Sequence, residues 1–503
     1  MNTDKKPPGT TANEVSPIAA VDLGSNSFRL VVAQQCHGEL RLIERTGEKT
    51  QLAAGLNDSR LLDNQAMERG WECLSRMAQY CKALPAGAVR AVGTSILRKA
   101  ENSAQFVRKA EEILGHPVDV ISGKEEARLI YLGVAHTHAA DCDHRLVIDV
   151  GGDSTECIAG ENFQPHLLES LDMGCISGTR TWFPDGKITR DSFDKAYYAA
   201  RLELAPVESQ FRSLGWKEAT GSSSSIKTLY NILRELGYDS ITRKGLAFLK
   251  TELLRCKRAS SLSLPTLKPD RATIFPGALV IVCALFDSLD IDSMSFSSGA
   301  LREGILYDMI GRNSHEDVCL RTLSAMQERY GVDIDYSIQV KAHLSTLLAT
   351  TRHAWKLTPQ DEQLVHGAAM VHEIGMTISH HQFHRHGAYI LSNADMLGFT
   401  RRQQEHMALL VQGHRRTFPV QALLRLDKDG ITLSRLMVLL RLAILLSQRY
   451  GDRQMPACTC QVSGSRVCLS FPDHWLANNP LTHARCKKEQ QLLVRAGYNL
   501  VYR

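Results

Sequence analysis

The sequence has no hydrophobic run long enough to cross a membrane. Its longest apolar stretches, such as FPGALVIVCALF from Phe275 to Phe286, fall short of the roughly 20 residues a span requires. The opening MNTDKKPPGTTANEVS is polar, carries Pro7, Pro8 and Gly9, and lacks the apolar centre of a signal peptide. Residues 1–16 therefore read as a flexible tail, and the expectation is a cytoplasmic chain without a transmembrane segment. No CxxC pair occurs either. The 13 cysteines are odd in number and scattered, the pattern of reduced thiols in a reducing compartment. Cys458 and Cys460 make only a CxC, whose alternation with polar neighbours fits a strand better than a zinc site. A large excess of one charge is also missing: 59 Lys and Arg against 54 Asp and Glu leave a net +5, too little to announce a nucleic-acid partner, and none is expected.

What is present suits a multidomain globular chain. Its 503 residues exceed one hydrophobic core, and hydrophobic residues at 44% with charged residues at 22% exclude disorder. Near the start, apolar Ile18 to Val21 and Leu30 to Ala33 flank the polar turn DLGSNS. The plan recurs in RLVIDVGGDSTECIAG, where Leu146 to Ile148 precede Asp149 and a Gly-Gly turn before Cys157 and Ile158. Asp22 and Asp149 hold the same place in the two copies, 127 positions apart. Between the copies, helical and strand periods alternate: Met67, Trp71, Leu74, Ala78 and Cys81 recur at helical spacing, and AVRAVGT then reads as a strand. Such alternation predicts an α/β fold with a mixed sheet. Beyond about Asn313 the pattern turns to long helical runs carrying most of the histidines, and from about Met455 it reverts to short alternating strands such as QVSGSRVCLSF.

Four Gly/Ser turns stand out: DLGSNS, DVGGDS, GSSSS and SSGALREG. Turns that follow a strand expose successive N–H groups to an anion, and a turn opening a helix adds the helix dipole. One such turn is ordinary loop chemistry; four, two of them with Asp in the same place, form a phosphate-holding set. Asp22 and Asp149 would repel a phosphate unless a cation lay between, which suggests Mg²⁺. The alternative for either residue alone is an Asx turn.

The blocks AAVDLGSNSFRL, GTSILRKAEN, VISGKEEARLIYLGV, RLVIDVGGDSTE, LDMGCISG and GALREGILY resemble, in this order, the exopolyphosphatase and guanosine pentaphosphate phosphohydrolase family of the actin and sugar-kinase superfamily. ENFQPHLLES, ASLSLPTL and HEIGMTISHHQFHRHGAYILSNADMLGF extend the resemblance toward the exopolyphosphatase branch. It implies an α/β fold of two actin-like (ribonuclease H-like) subdomains, residues 17–136 and 137–312, with a cleft between them. An all-α HD-like domain at 313–454 and a small β-containing segment at 455–503 follow.

The resemblance also implies roles. Glu126 becomes the catalytic base, although a Glu in the first turn of a helix also serves the helix, a role equally open to Glu125. On this assignment Glu126→Ala abolishes most turnover and Glu125→Ala is far milder. Arg98 becomes a catalytic donor to phosphate. Asp149 and Glu156 become metal ligands, with Asp22 as a further metal contact, for Mg²⁺ and, additionally, a monovalent cation such as K⁺. Ser25, Asn26, Gly151, Gly152, Ser154 and the run Gly221, Ser222, Ser223, Ser224 and Ser225 become phosphate contacts. The helical region is implied to form a homodimer and to help hold a long polyphosphate, with Arg385, Arg415 and Arg416 as candidates for that path.

Departures from the family pattern qualify these roles. Asp153 stands where Gly or Ala is usual and adds a negative charge beside the phosphate. Ser224 replaces a Gly whose freedom to adopt positive φ a Ser lacks, and Ser225 replaces a Thr. His372-Glu373 stands where HD phosphohydrolases have His-Asp, and the nearby His380, His381, His384, His386 and Asp395 match no closed metal set. The primary expectation is hydrolysis of terminal phosphates from inorganic polyphosphate. Hydrolysis of guanosine pentaphosphate (pppGpp) to the tetraphosphate is the alternative, and a poorly catalytic polyphosphate or nucleotide sensor the third reading.

Overall fold

The apolar runs on either side of DLGSNS pair with each other. Strand β1 (Ile18–Leu23) runs antiparallel to β2 (Ser27–Cys36), with Asp22 directly opposite Arg29. β3 (Glu39–Lys49) extends the hairpin, and helix α1 (Asn64–Cys81) starts where the Asp63 carboxylate accepts the Ala66 N–H. β4 (Val89–Gly93), α2 (Ser95–Lys99), α3 (Ser103–Leu114), β5 (Val118–Val120) and α4 (Gly123–Thr137) complete the first lobe. Its sheet has the order β3-β2-β1-β4-β5, with β1, β4 and β5 parallel.

The second lobe repeats this plan. β6 (Arg145–Val150) pairs antiparallel with β7 (Thr155–Glu161), which pairs with β8 (Gln164–Leu171). Helices α5 (Cys175–Trp182) and α6 (Arg190–Leu214) lead to β9 (Glu218–Ser222), which lies parallel to β6. α7 (Ser223–Glu235), β10 (Ile241–Thr242), α8 (Arg243–Cys256), α9 (Pro269–Ala272), α10 (Phe275–Leu289), β11 (Ser293–Phe296) and α11 (Leu301–Gly311) follow. The sheet order is β10-β11-β9-β6-β7-β8. Apart from edge strand β10, it reads as the same hairpin-and-crossover order as the first sheet. All six residues of β6 are buried, as expected of a central strand covered on both faces.

A shared apolar layer joins the lobes. Ala20, Val31 and Val92 of the first sheet, Val147 and Ile158 of the second, and Ile130, Tyr131, Val134, Leu301 and Ile305 of α4 and α11 form one buried cluster. The two helices cross through bare backbone: a Cβ on Gly304 would lie 1.7 Å from the Leu129 carbonyl oxygen, and one on Gly133 would lie 2.1 Å from that of Ala300. A buried ion network braces the same layer. Arg128 binds both Glu125 oxygens at 2.8 Å and Asp308 at 2.8 Å, and Arg90 of β4 also binds Asp308.

The computed structural model describes residues 16–36, 39–57, 59–137, 144–311, 318–394, 396–447 and 458–503. The chain separates into two compact units, Met1–Glu316 and Asp317–Arg503. Apart from Ser16, the expected tail lies outside the described residues, as do Asp395 and the expected boundaries at 312/313 and 454/455. The second unit contains α12 (Val318–Arg329), α13 (Ile334–Trp355), α14 (Pro359–Val371), α15 (Phe383–Asn393), α16 (Arg401–Gly413), α17 (Val420–Leu424) and α18 (Asp427–Leu446). A three-stranded sheet follows, formed by β12 (Thr459–Ser463), β13 (Arg466–Ser470) and β14 (Asn499–Tyr502), with α19 (Trp475–Asn478) and α20 (Pro480–Arg495) before the last strand. Its Val467, Leu469 and Leu500 belong to the same core cluster as Trp355, Leu436 and Leu440. Of the CxC, Cys460 lies in strand β12 and Cys458 immediately before it.

Candidate active site

Both Asp-x-Gly turns open into one cleft of the first unit. It is lined by Asp22, Gly24, Ser25, Asn26 and Ser27 from the first turn and by Asp149, Gly151, Gly152, Asp153 and Ser154 from the second. The turns face each other closely: a Cβ on Gly152 would sit 3.4 Å from that of Ser25. Their carbonyls are tied back. Asn26 O accepts from Thr50 and Gln51, Ser25 O from Ala53, Gly151 O from Cys175 and Gly152 O from Ile176. With these carbonyls engaged by neighbouring segments, N–H groups other than that of Gly151, which donates to Ser154 O, are what the main chain of the turns has left for an anion.

Ser223, Ser224 and Ser225 line the cleft at the start of α7, where the helix dipole favours negative charge. The backbone strain at this turn falls on Ser223, whose φ is 80°; Ser224 is not among the positive-φ residues. A serine in place of glycine at 224 therefore costs no left-handed strain. Gly221 and Ser222 stay at the end of β9 outside the lining set, with Ser222 buried and its hydroxyl donating to Gly299 O at 3.0 Å.

Glu126 reaches the cleft from the first turn of α4. Ser122 starts that helix: its hydroxyl accepts the Glu125 N–H at 3.1 Å and its carbonyl the Glu126 N–H at 2.9 Å. The two glutamates then diverge. Glu125 is fully buried in the ion network, whereas Glu126 accepts a 2.8 Å hydrogen bond from Arg98 Nη1. Arg98 also donates to Ile121 O at 2.9 Å and is not among the residues lining the cleft. Its place is beside the expected base.

Carboxylates dominate the cleft electrostatics. Burial lifts Asp22 to about 6, with Arg29 and Arg302 opposing and Glu126 and Asp149 adding to the rise. Asp149 is likewise raised to about 6 by burial, with the neighbouring Ser222 side chain opposing the rise. Glu156, opposite Asp149 in the β6–β7 register, is pushed well above the usual carboxylate range by burial and then by Glu126 and Asp149. It accepts from Ser170 at 2.9 Å behind the cleft wall. Among the described residues no group of three or more His, Cys, Asp or Glu is arranged to hold a metal ion alone. Such a donor set suits an ion that takes one or two carboxylates and fills its shell with phosphate oxygens and water.

Comparison with known proteins gives this geometry a lineage. Residues 31–313 match the Ppx/GppA phosphatase family, and residues 318–490 match domain III of the same family. The chain belongs to the Ppx/GppA phosphatase family. As a member it is a phosphoanhydride hydrolase. Guanosine-5'-triphosphate,3'-diphosphate pyrophosphatase of Photobacterium profundum is 38% identical over 494 residues, covering 97% of this chain and 98% of that protein. The protein of that name from Vibrio cholerae is 39% identical over 491 residues, covering 96% and 98%. The actin-like fold is shared with the Aquifex aeolicus Ppx/GppA family member (TM-score 0.52, 24% identity, 60% of this chain and 99% of that one). An exopolyphosphatase from Cytophaga hutchinsonii shares it too (TM-score 0.53, 21% identity, 59% and 98%).

Three cleft arginines of this Ppx/GppA chain escaped the sequence reading: Arg29, Arg271 and Arg302. Arg29 was within reach, since the residue directly across a hairpin from Asp22 shares its face. Arg302 lies in the quoted GALREG block, but nothing in the block singles it out. No motif marks Arg271. In the second unit, Arg385, Arg415 and Arg416 gather around His384, which burial and then these three charges with Arg441 push down to about 4. Arg415 also lies 4.9 Å from the centre of the Phe383 ring.

Proposed function

We propose that this phosphatase removes the terminal phosphate of the 5'-triphosphate of guanosine pentaphosphate, giving the tetraphosphate and inorganic phosphate. The observation that carries the choice is near-full-length similarity, at 38–39% identity, to proteins named for that substrate. It reverses the order of the sequence reading, which set inorganic polyphosphate first.

In this reading the two turns and the start of α7 hold the phosphate chain, while Arg29 and Arg302 offset its charge. Glu126 orients a water and takes its proton as the water attacks the terminal phosphorus in line with the departing β-phosphate oxygen. Arg98 fixes the Glu126 carboxylate, so that its free lone pairs face the cleft. Asp22 and Asp149 would hold Mg²⁺, which when bound supplies neutralisation of phosphate charge. Two cleft carboxylates held up at about 6 fit such an ion, because a cation would return them to their charged forms.

The test is phosphate release by the purified chain, offered guanosine pentaphosphate and long-chain polyphosphate separately at equal concentrations of chain ends with Mg²⁺. The expected result is a higher kcat/KM for the nucleotide. A preference for polyphosphate restores the first reading, and tight binding without turnover of either substrate restores the sensor.

A further inference from the structure

Asp153 is the one side chain of the second turn that the mechanism leaves without a task. It lines the cleft between Gly152 and Ser154 and is 8% exposed. Its carboxylate is costly on two counts. It adds negative charge to a cleft already lined by Asp22, Glu126 and Asp149, and its Oδ2 atom is closed off from solvent with no hydrogen-bond partner.

Neighbouring cations do not relieve it. Lys99 reaches over from α2 of the first lobe, but its ammonium binds the main-chain oxygen of Asp153 at 3.4 Å and forms its ion pair with Asp172. Arg271 shares the cleft and, like Asp153, acts electrostatically on Cys175, yet it donates no hydrogen bond to the stranded oxygen. Asp153 packs against the head of α5, where a Cβ on Gly174 would lie 2.4 Å from its main-chain nitrogen. Asp149 instead lies on β6, opposite Glu156, and Asp22 on β1, opposite Arg29.

We propose that Asp153 carries a second divalent cation, bound jointly with substrate phosphate oxygens and separate from the ion assigned to Asp22 and Asp149. This rests on the phosphate-binding reading of the cleft. One protein carboxylate is enough for Mg²⁺ when phosphate oxygens and water complete its octahedron. The site is therefore completed by substrate, and a carboxylate that would repel phosphate becomes a bridge to it.

The experiment is equilibrium dialysis of Mn²⁺ against the full chain, with and without saturating guanosine 5'-(β,γ-imido)triphosphate. It compares the wild type with Asp153→Asn, which keeps the shape, and Asp153→Gly, which removes the side chain. Thermal melts confirm that each variant is folded. With the analogue present, the wild type is expected to bind one more Mn²⁺ per chain than either variant; without it, the three are equal. In turnover assays the half-saturating Mg²⁺ concentration rises about tenfold in Asp153→Asn. Equal Mn²⁺ counts in wild type and variants overturn the second ion. Absence of phosphate release from guanosine pentaphosphate by the wild type counts instead against the substrate assignment above.

Discussion

Arg98 Nη1 lies 2.8 Å from Glu126 Oε2, and the same nitrogen donates to the Ile121 carbonyl at 2.9 Å. An arginine anchored to the main chain thus fixes the direction of the carboxylate that we propose acts on water. Glu126→Gln is expected to lower kcat by about 10²–10⁴-fold, the usual worth of a general base, with little change in KM. Arg98→Ala lowers kcat less, and Arg98→Lys recovers part of the loss. A rise in KM alone for either Arg98 variant would return Arg98 to direct phosphate binding.

Glu125 and Glu126 separate in the opposite way under a stability measurement. Glu125→Ala leaves Arg128 and Arg90 sharing Asp308 in the buried network and is expected to cost about 3–5 kcal/mol in urea unfolding. Glu126→Ala, at a partly open cleft, stays within about 1 kcal/mol of wild type. The expectation that Glu125→Ala is the mild substitution survives only for the chemistry of the molecules that remain folded.

The raised Asp22 and Asp149 make a pH prediction with a definite sign. Each ionises near 3.8 when free and at about 6 in the metal-free fold. Between those values the folded chain keeps protons that the unfolded chain has released, so these groups lower stability as pH rises from about 4 to 6. The cost is at most about 3 kcal/mol for each carboxylate. Metal-free Tm should therefore fall between about pH 4 and 6 more steeply in the wild type than in Asp22→Asn/Asp149→Asn. Mg²⁺ should raise Tm more at the higher pH. Parallel melting curves for the two proteins would contradict this.

Gly304→Ala tests the crossing of α4 and α11, where the added methyl would overlap the Leu129 carbonyl. A loss of about 3 kcal/mol or more is expected, because backbone cannot move aside as a side chain can. A melting temperature equal to wild type would show that the crossing tolerates separation.

In the second unit, Arg385→Ala/Arg415→Ala should raise KM for long polyphosphate and leave that for guanosine pentaphosphate within about twofold, because only the long chain gains from an extended set of cations. Equal effects on both substrates, measured side by side, would remove the basic cluster from polyphosphate binding.

Legibility differed from residue to residue. Asp22 and Asp149 could be read from local chemistry, since an Asp-x-Gly turn between two apolar runs has few structural solutions, and α1 was bounded by its periodicity alone. Glu126 could not: two adjacent glutamates in one helical turn differ only in what the helix packs against, and resemblance supplied the choice. Strain was expected at Ser224 and lies at Ser223, because the sequence locates a turn but not which of its residues has to turn left. α20 went unread because it buries only Thr482, Cys486 and Leu493, too sparse a stripe to show a period. The sharing of one core by β12, β13, β14 and the preceding helices depends on long-range packing that no local pattern reports.

The glycine contact between α4 and α11 has a mechanical consequence. Glu126 sits near one end of α4, and Gly133, seven residues on, rests on the backbone of α11, about 10 Å farther along the axis. With no side chain between the two backbones at Gly133 and Gly304, the crossing of α4 on α11 sets where the Glu126 end of α4 stands.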